Sequence, residues 1–226
     1  MKNPLVLYHG STEALDRPSL ERGRPHNDYG RGFYCTENYE LACEWASKIQ
    51  GMPGIVNKYL LNTASLKVLD LTKKMYNILN WMAILVQNRT FTISSPISEQ
   101  ACDYLIANFN VETAQYDIIK GFRADDSYFS FAQDFLNNTI SVEHLAQAMK
   151  LGKLGIQYAL VSYEAFDKLE YVSSDTIDSQ TYHLKFRERD LKARQDYVSS
   201  KLSPTDGLFM IDLIRGEIKN GDPRIQ

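Results

Sequence analysis

Cysteine is scarce in this chain, and the little there is falls into no pattern. Cys35, Cys43 and Cys102 are three in 226 residues. An odd number at unrelated spacings excludes a disulfide framework and offers no zinc-binding arrangement. They read as reduced thiols, which places the protein in the cytoplasm. Long apolar runs are missing too. None approaches the roughly 20 residues of a membrane-spanning helix, so no membrane partner is expected. The start, Met1-Lys2-Asn3-Pro4 before three apolar residues, is too short for a secretory signal. Nor is there an excess of positive charge: 25 Lys and Arg face 28 Asp and Glu, a net −3. That disfavours a nucleic-acid partner held by bulk electrostatics and leaves room only for a local basic patch.

Familiar site motifs are equally sparse. Gly30-x-Gly32 does not extend into a dinucleotide fingerprint, and no Walker sequence exists. The four histidines (His9, His26, His144, His183) stand at no metal-ligand spacing, so no metal is expected. There is no Gly-x-Ser-x-Gly elbow. Internal repeats, low-complexity stretches and clear linkers are also absent. The chain therefore reads as a single domain over 1–226, with charged and apolar helices from about residue 183 as a C-terminal extension.

What is present is an ordinary globular balance, 44% hydrophobic and 23% charged, rich in tyrosine and phenylalanine. Leu5-Val6-Leu7-Tyr8 reads as a short buried strand running into His9-Gly10-Ser11-Thr12. Gly10, lacking a Cβ, would let a ligand approach the backbone. A loop follows, then a short strand over Gly32 to Thr36 and an amphipathic helix over 37–49, with Thr36 as its cap. Ile55 to Leu61 and Leu66 to Leu71 read as a hairpin-like strand pair. Met75, Leu79, Met82 and Val86 share one helical face, and a second helix is expected from about Ser98 to Phe109. Strands over 116–122, 155–161 and 166–172 alternate with helices from Tyr128 and from Ser141. A charge-dense helix from His183 to Ser200 reads as a solvated face, and Leu208 to Ile214 as a last apolar helix. The fold class is α+β.

Three of these stretches belong together. Tyr8-His9-Gly10-Ser11-Thr12, then Asp28-Tyr-Gly-Arg-Gly-Phe-Tyr34-Cys-Thr, then Ala42-Cys-Glu-Trp45-Ala resemble the ADP-ribosyltransferase superfamily in its diphtheria-toxin and poly(ADP-ribose) polymerase branch. A closer resemblance, covering nearly the whole chain, is to a bacterial family of unknown function in that clan, often found as toxin-like modules. Its pattern also takes in Tyr116-Asp-Ile-Ile-Lys-Gly-Phe-Arg-Ala-Asp-Asp-Ser-Tyr128 and Gln157-Tyr158.

The resemblance implies a split β-sheet core with inserted and C-terminal helices, and NAD as substrate. It implies that His9 bonds the nicotinamide ribose, Gly10 and its neighbour Ser11 border the carboxamide, and Tyr34 and Trp45 sandwich the ring. Arg31, or Arg24, would meet the pyrophosphate, because guanidinium groups pair with phosphate oxygens in bidentate fashion. The branch usually carries a glutamate on a late strand, where this chain has Gln157. Glutamine can hold a ribose hydroxyl but cannot take a proton. Asp125, Asp126 and Glu164 are the candidate replacements, Asp125 or Asp126 being favoured because their loop follows a strand within the family-like segment; taken alone, the Asp125-Asp126 pair reads more readily as a helix cap than as a cation ligand. The implied function is ADP-ribosyl transfer to a protein or nucleic-acid acceptor, as in a bacterial toxin module. The alternatives are an NAD- or ADP-ribose-binding module without turnover and an NAD glycohydrolase. A toxin-like module would also have use for a small neutralising protein partner, with Leu208 to Ile214 as one surface for it.

Overall fold

The computed structural model describes residues 3–124, 126–151, 155–201 and 207–225. Strand β1 (Leu5–Ser11) leads through a long loop to the short strand β2 (Phe33–Cys35) and helix α1 (Tyr39–Ala46). Strands β3 (Gly54–Leu61) and β4 (Val68–Asp70) precede helices α2 (Ile78–Asn88) and α3 (Pro96–Phe109). Strand β5 (Ile118–Phe122) is followed by α4 (Asp126–Leu136) and α5 (Val142–Ala148). Then come β6 (Ile156–Leu160), the short α6 (Tyr163–Asp167), β7 (Leu169–Ile177), α7 (Ser179–Lys201) and α8 (Met210–Arg215). The fold is α+β. Among the described residues no helix is long and apolar enough to cross a membrane.

The strands form two sheets. In the first, β3 lies between β1 and β7, antiparallel to both. The second runs β2-β6-β5-β4, antiparallel except for the parallel pair β4–β5. The sheets join where Tyr8 and Thr36 exchange backbone hydrogen bonds at 2.8 and 2.9 Å.

Alternation along the strands sorts the core into layers. Leu7, Tyr59 and Leu61 of the first sheet share a buried cluster with Phe33, Ile118, Tyr158 and Leu160 of the second. On the outer face of the first sheet, Tyr8 and Val56 meet Ala42, Cys43 and Ala46 of α1. On the outer face of the second, Leu69, Ile119 and Ala159 meet the helices. Every residue of α2 from Ile78 to Leu85 is buried. A helix apolar all round is one surrounded by other elements, and α2 fills the middle of the helical layer.

Several local expectations change. The strands over 55–61 and 66–71 do not form a hairpin: β3 and β4 belong to different sheets, and the intervening turn carries the chain across. Both Leu61 and Leu66 are buried between the sheets, so the crossing covers apolar surface that a hairpin would leave open. Helix α1 is capped by Asn38, whose side chain accepts from Leu41 N, while Thr36 instead donates to Ile156 O. Met75 is exposed because α2 begins later, at a reciprocal cap between Asn77 and Asn80. The strand expected over 166–172 begins only at Leu169, because its first two residues close α6, where Ser162 Oγ accepts from Ala165 N. The charged helix α7 buries only Phe186, Ala193 and Tyr197, and lies against α1 and α4. The last apolar helix, α8, turns Met210 and Leu213 into the core beside α3.

Candidate functional site

Side-chain parity decides which residues of the two sheets can meet. His9 has the parity of Leu7 and so points toward the second sheet; Gly10 has that of Tyr8 and faces α1. On β2 and β6, Tyr34 and Gln157 lie on the helix-facing side with Ala159. Near the Tyr8–Thr36 junction a cavity of about 690 Å³ opens, and His9, Gly10, Tyr34, Trp45 and Gln157 all line it. That volume lies within the ordinary range of small-molecule sites.

His9 Nδ1 sits 2.7 Å from Tyr34 O. A carbonyl only accepts, so Nδ1 carries the hydrogen. Burial holds the imidazole below its ordinary value, outweighing the Tyr34 hydrogen bond, and the Arg123 charge acts in the same direction. The ring is therefore neutral and its Nε2 is an acceptor.

The glycine beside it works differently from the sequence expectation. A Cβ on Gly10 would lie 2.0 Å from Ala42 O and 2.6 Å from Ala46 N. Glycine is needed here for α1 to approach the strand. Its backbone still serves the cavity. Tyr8 turns its N–H and C=O away from β3, toward Thr36, and by alternation those of Gly10 point the same way.

Tyr34 is fixed by its hydroxyl, which donates to Gly30 O at 2.7 Å and accepts from Tyr29 N at 3.0 Å. Burial pushes that hydroxyl far above its ordinary range, so it stays protonated. Trp45 carries the Arg123 guanidinium 4.0 Å from its ring centroid, so one of its faces is already covered.

Gln157 Nε2 donates to Asp28 Oδ2 at 2.8 Å and to Phe122 O at 3.2 Å. Asp28, only 4% exposed, also accepts from Ala124 N at 2.8 Å and pairs with Arg89 at 3.1 Å. Burial raises its carboxyl above the ordinary value, opposed by the Ala124 N–H, the Gln157 amide and the charges of Arg89 and Arg123. Arg22, Arg24, Lys48, Arg89 and Arg123 border the cavity against two acids, Glu13 and Asp28. A chain of net negative charge thus concentrates cations where an anionic ligand would sit.

A family model described as a protein of unknown function, DUF3990, matches residues 5–171. The chain belongs to that family. No match was found among curated proteins or among solved structures. The DUF3990 match takes in every cavity residue named above and leaves α7 and α8 outside it.

Of the residues singled out from sequence, His9, Gly10, Arg24, Tyr34, Trp45 and Gln157 come together in the DUF3990 cavity. Ser11 and Arg31 stand apart from its lining. Ser11 Oγ donates to Glu13 O and accepts from Asn57 Nδ2, tying down the end of β1. Arg31 donates to Glu21 O and Gly23 O at 2.8 and 2.9 Å, bracing the loop that presents Arg22 and Arg24. Glu164, on α6, is half exposed and pairs with Lys168 just past that helix, away from the cavity. Asp125 lies outside the described residues. Asp126 opens α4, and its side chain lies outside them as well. Asp28, Arg22, Lys48, Arg89 and Arg123 are charged residues of the cavity that the sequence alone did not single out. Asp28 stood inside a quoted motif, but nothing local told a buried acid from a turn residue.

Proposed function

We propose that this protein binds NAD in the cavity beside β1 and transfers its ADP-ribosyl group to a macromolecular acceptor, on an ADP-ribosyltransferase-like split-sheet core. One observation carries the reading. An acceptor nitrogen on His9, the open backbone pair of Gly10, Tyr34, Trp45 and Gln157 come from four separated segments and border one cation-lined cavity. This is the grouping that the sequence resemblance implies.

The chemistry suits those groups. His9 Nε2 accepts from a ribose hydroxyl, and Gly10 offers one donor and one acceptor to a primary carboxamide. Tyr34 supplies a ring held in place by its own hydroxyl. Arg22 and Arg24 face the pyrophosphate. Cleavage of the nicotinamide–ribose bond moves positive charge onto the ribose carbon, so fixing ring and ribose together supplies orientation, and nearby polar groups stabilise the developing charge.

The test is incubation of the pure protein with adenylate-labelled NAD and a cell lysate, alongside calorimetry with NAD. Label on macromolecules is the expected result. Free ADP-ribose alone would make water the acceptor, and binding with neither product would make the protein a recognition module. Absence of NAD binding overturns the reading.

A further inference from the structure

On its late strand the site offers an amide where transfer calls for a carboxylate. Joining ADP-ribose to an O–H or N–H nucleophile releases a proton, and Gln157 can take none. A carboxylate nonetheless stands against it, because Asp28 Oδ2 accepts from Gln157 Nε2 at 2.8 Å in the same cavity wall. The orientation of the amide is fixed, since its nitrogen faces two acceptors, Asp28 and Phe122 O. Ala124 N donates to Oδ2 and Arg89 to Oδ1. An ionised carboxylate offers about four lone-pair positions. These three N–H donors occupy three of them and hold the group in one pose.

Asp28 could be read as a staple, tying its loop to α2, β5 and β6. Burying a charge is a poor way to make a staple, since an apolar residue of similar volume does so at lower cost. Its place on a cavity wall has a use only if something in the cavity meets it. Burial also raises its proton affinity against the pull of its donors, which makes it the stronger base.

We propose that Asp28 is the proton acceptor of this site and Gln157 the residue that positions it, an inference that rests on the NAD reading above. In the step, the bond from the ribose carbon to nicotinamide nitrogen breaks and nicotinamide leaves with the electron pair. The nucleophile's lone pair forms the new bond to that carbon, and its proton passes to Asp28 and on to solvent. Nothing is oxidised or reduced.

The experiment compares wild type, Asp28→Asn and the double variant Asp28→Asn with Gln157→Glu. Nicotinamide release from NAD is followed in the presence of lysate, with NAD affinity by calorimetry and folding by circular dichroism. Asp28→Asn should keep NAD affinity within about threefold and lose release by about 100-fold or more, the lower range for a general base. The double variant should regain at least about tenfold, because it returns a carboxylate to the same cavity wall at 157. If Asp28→Asn fails to fold, the double variant decides: restored release supports the role, and a folded, NAD-binding but silent protein overturns it. Wild-type release from Asp28→Asn overturns it and leaves the NAD reading standing. A wild-type protein that binds NAD and releases no nicotinamide overturns it together with the transfer step proposed above, and leaves NAD binding standing. A wild type that binds no NAD overturns both.

Discussion

His9 is anchored at one ring nitrogen and open at the other, so its usefulness depends on staying neutral. Its folded value lies below the ordinary 6.5 through burial. The unfolded chain therefore takes up the proton first. The stability that His9 contributes is full above 6.5 and is lost as pH falls from there through the lower folded value, whereas its part in ligand binding is lost only as pH falls through that folded value itself. NAD affinity measured by calorimetry should be flat from about pH 8 to 7 and weaken only below about 6.5. An affinity that changes in the flat range would assign the dependence elsewhere. Tyr34→Ala should weaken NAD binding by about 1–3 kcal/mol, the scale of aromatic–base stacking. An unchanged dissociation constant would remove Tyr34 from the ring site. Gly10→Ala drives a methyl group into the α1 backbone. Overpacking of this kind costs about 1–3 kcal/mol or more, so its melting temperature should drop clearly. A variant melting with wild type would show that α1 is free to retreat.

At the scale of elements, α7 is bound to α1 by contacts of unequal worth. Arg189 and Glu44 pair at 2.6 Å with side chains 15% and 11% exposed, whereas Lys185 and Glu40 pair at 3.1 Å in solvent. Removing a buried partner strands the other charge, and removing an exposed one returns it to water. Glu44→Ala should therefore cost about 3 kcal/mol in urea unfolding and Glu40→Ala less than about 1 kcal/mol. Equal costs would mean that the buried pair is solvated. The amphipathic pattern of α1 and the apolar run of α2 were legible because periodicity is local. The partner of β3 was not. Alternating apolar residues specify a strand but not which edge it joins, and the short turn after Leu61 imitates a hairpin. Phe166 illustrates a related limit, where the cap at Ser162 draws the first two residues of an expected strand into a helix.

At the scale of the whole molecule, net charge misleads about the ligand. The total is −3, yet five cations and two acids border the cavity. If those cations hold an anionic ligand, NAD affinity should fall several-fold as salt rises from about 0.05 to 0.5 M, because screening shortens the reach of the cavity's field. The affinity of uncharged nicotinamide should stay nearly constant. Calorimetry at the two salt concentrations separates these outcomes, and an NAD affinity indifferent to salt would take the cations out of ligand binding.

The sequence by itself determined the class of the fold, most of the helices and strands, and the stretches that carry the site. Those properties depend on neighbours in the chain: the spacing of apolar side chains and the turn residues between them. Only the tertiary structure decided that Gly10 is small for the sake of α1, that β3 and β4 part company, and that Asp28 stands against Gln157. These follow from strand register and layer packing, in which Asp28 and Gln157 meet from 129 positions apart. No local pattern encodes such meetings, because each is set by the sum of many weak contacts across two sheets. His9 and Tyr34 could be named from the chain; the buried carboxylate beside Gln157 required the fold.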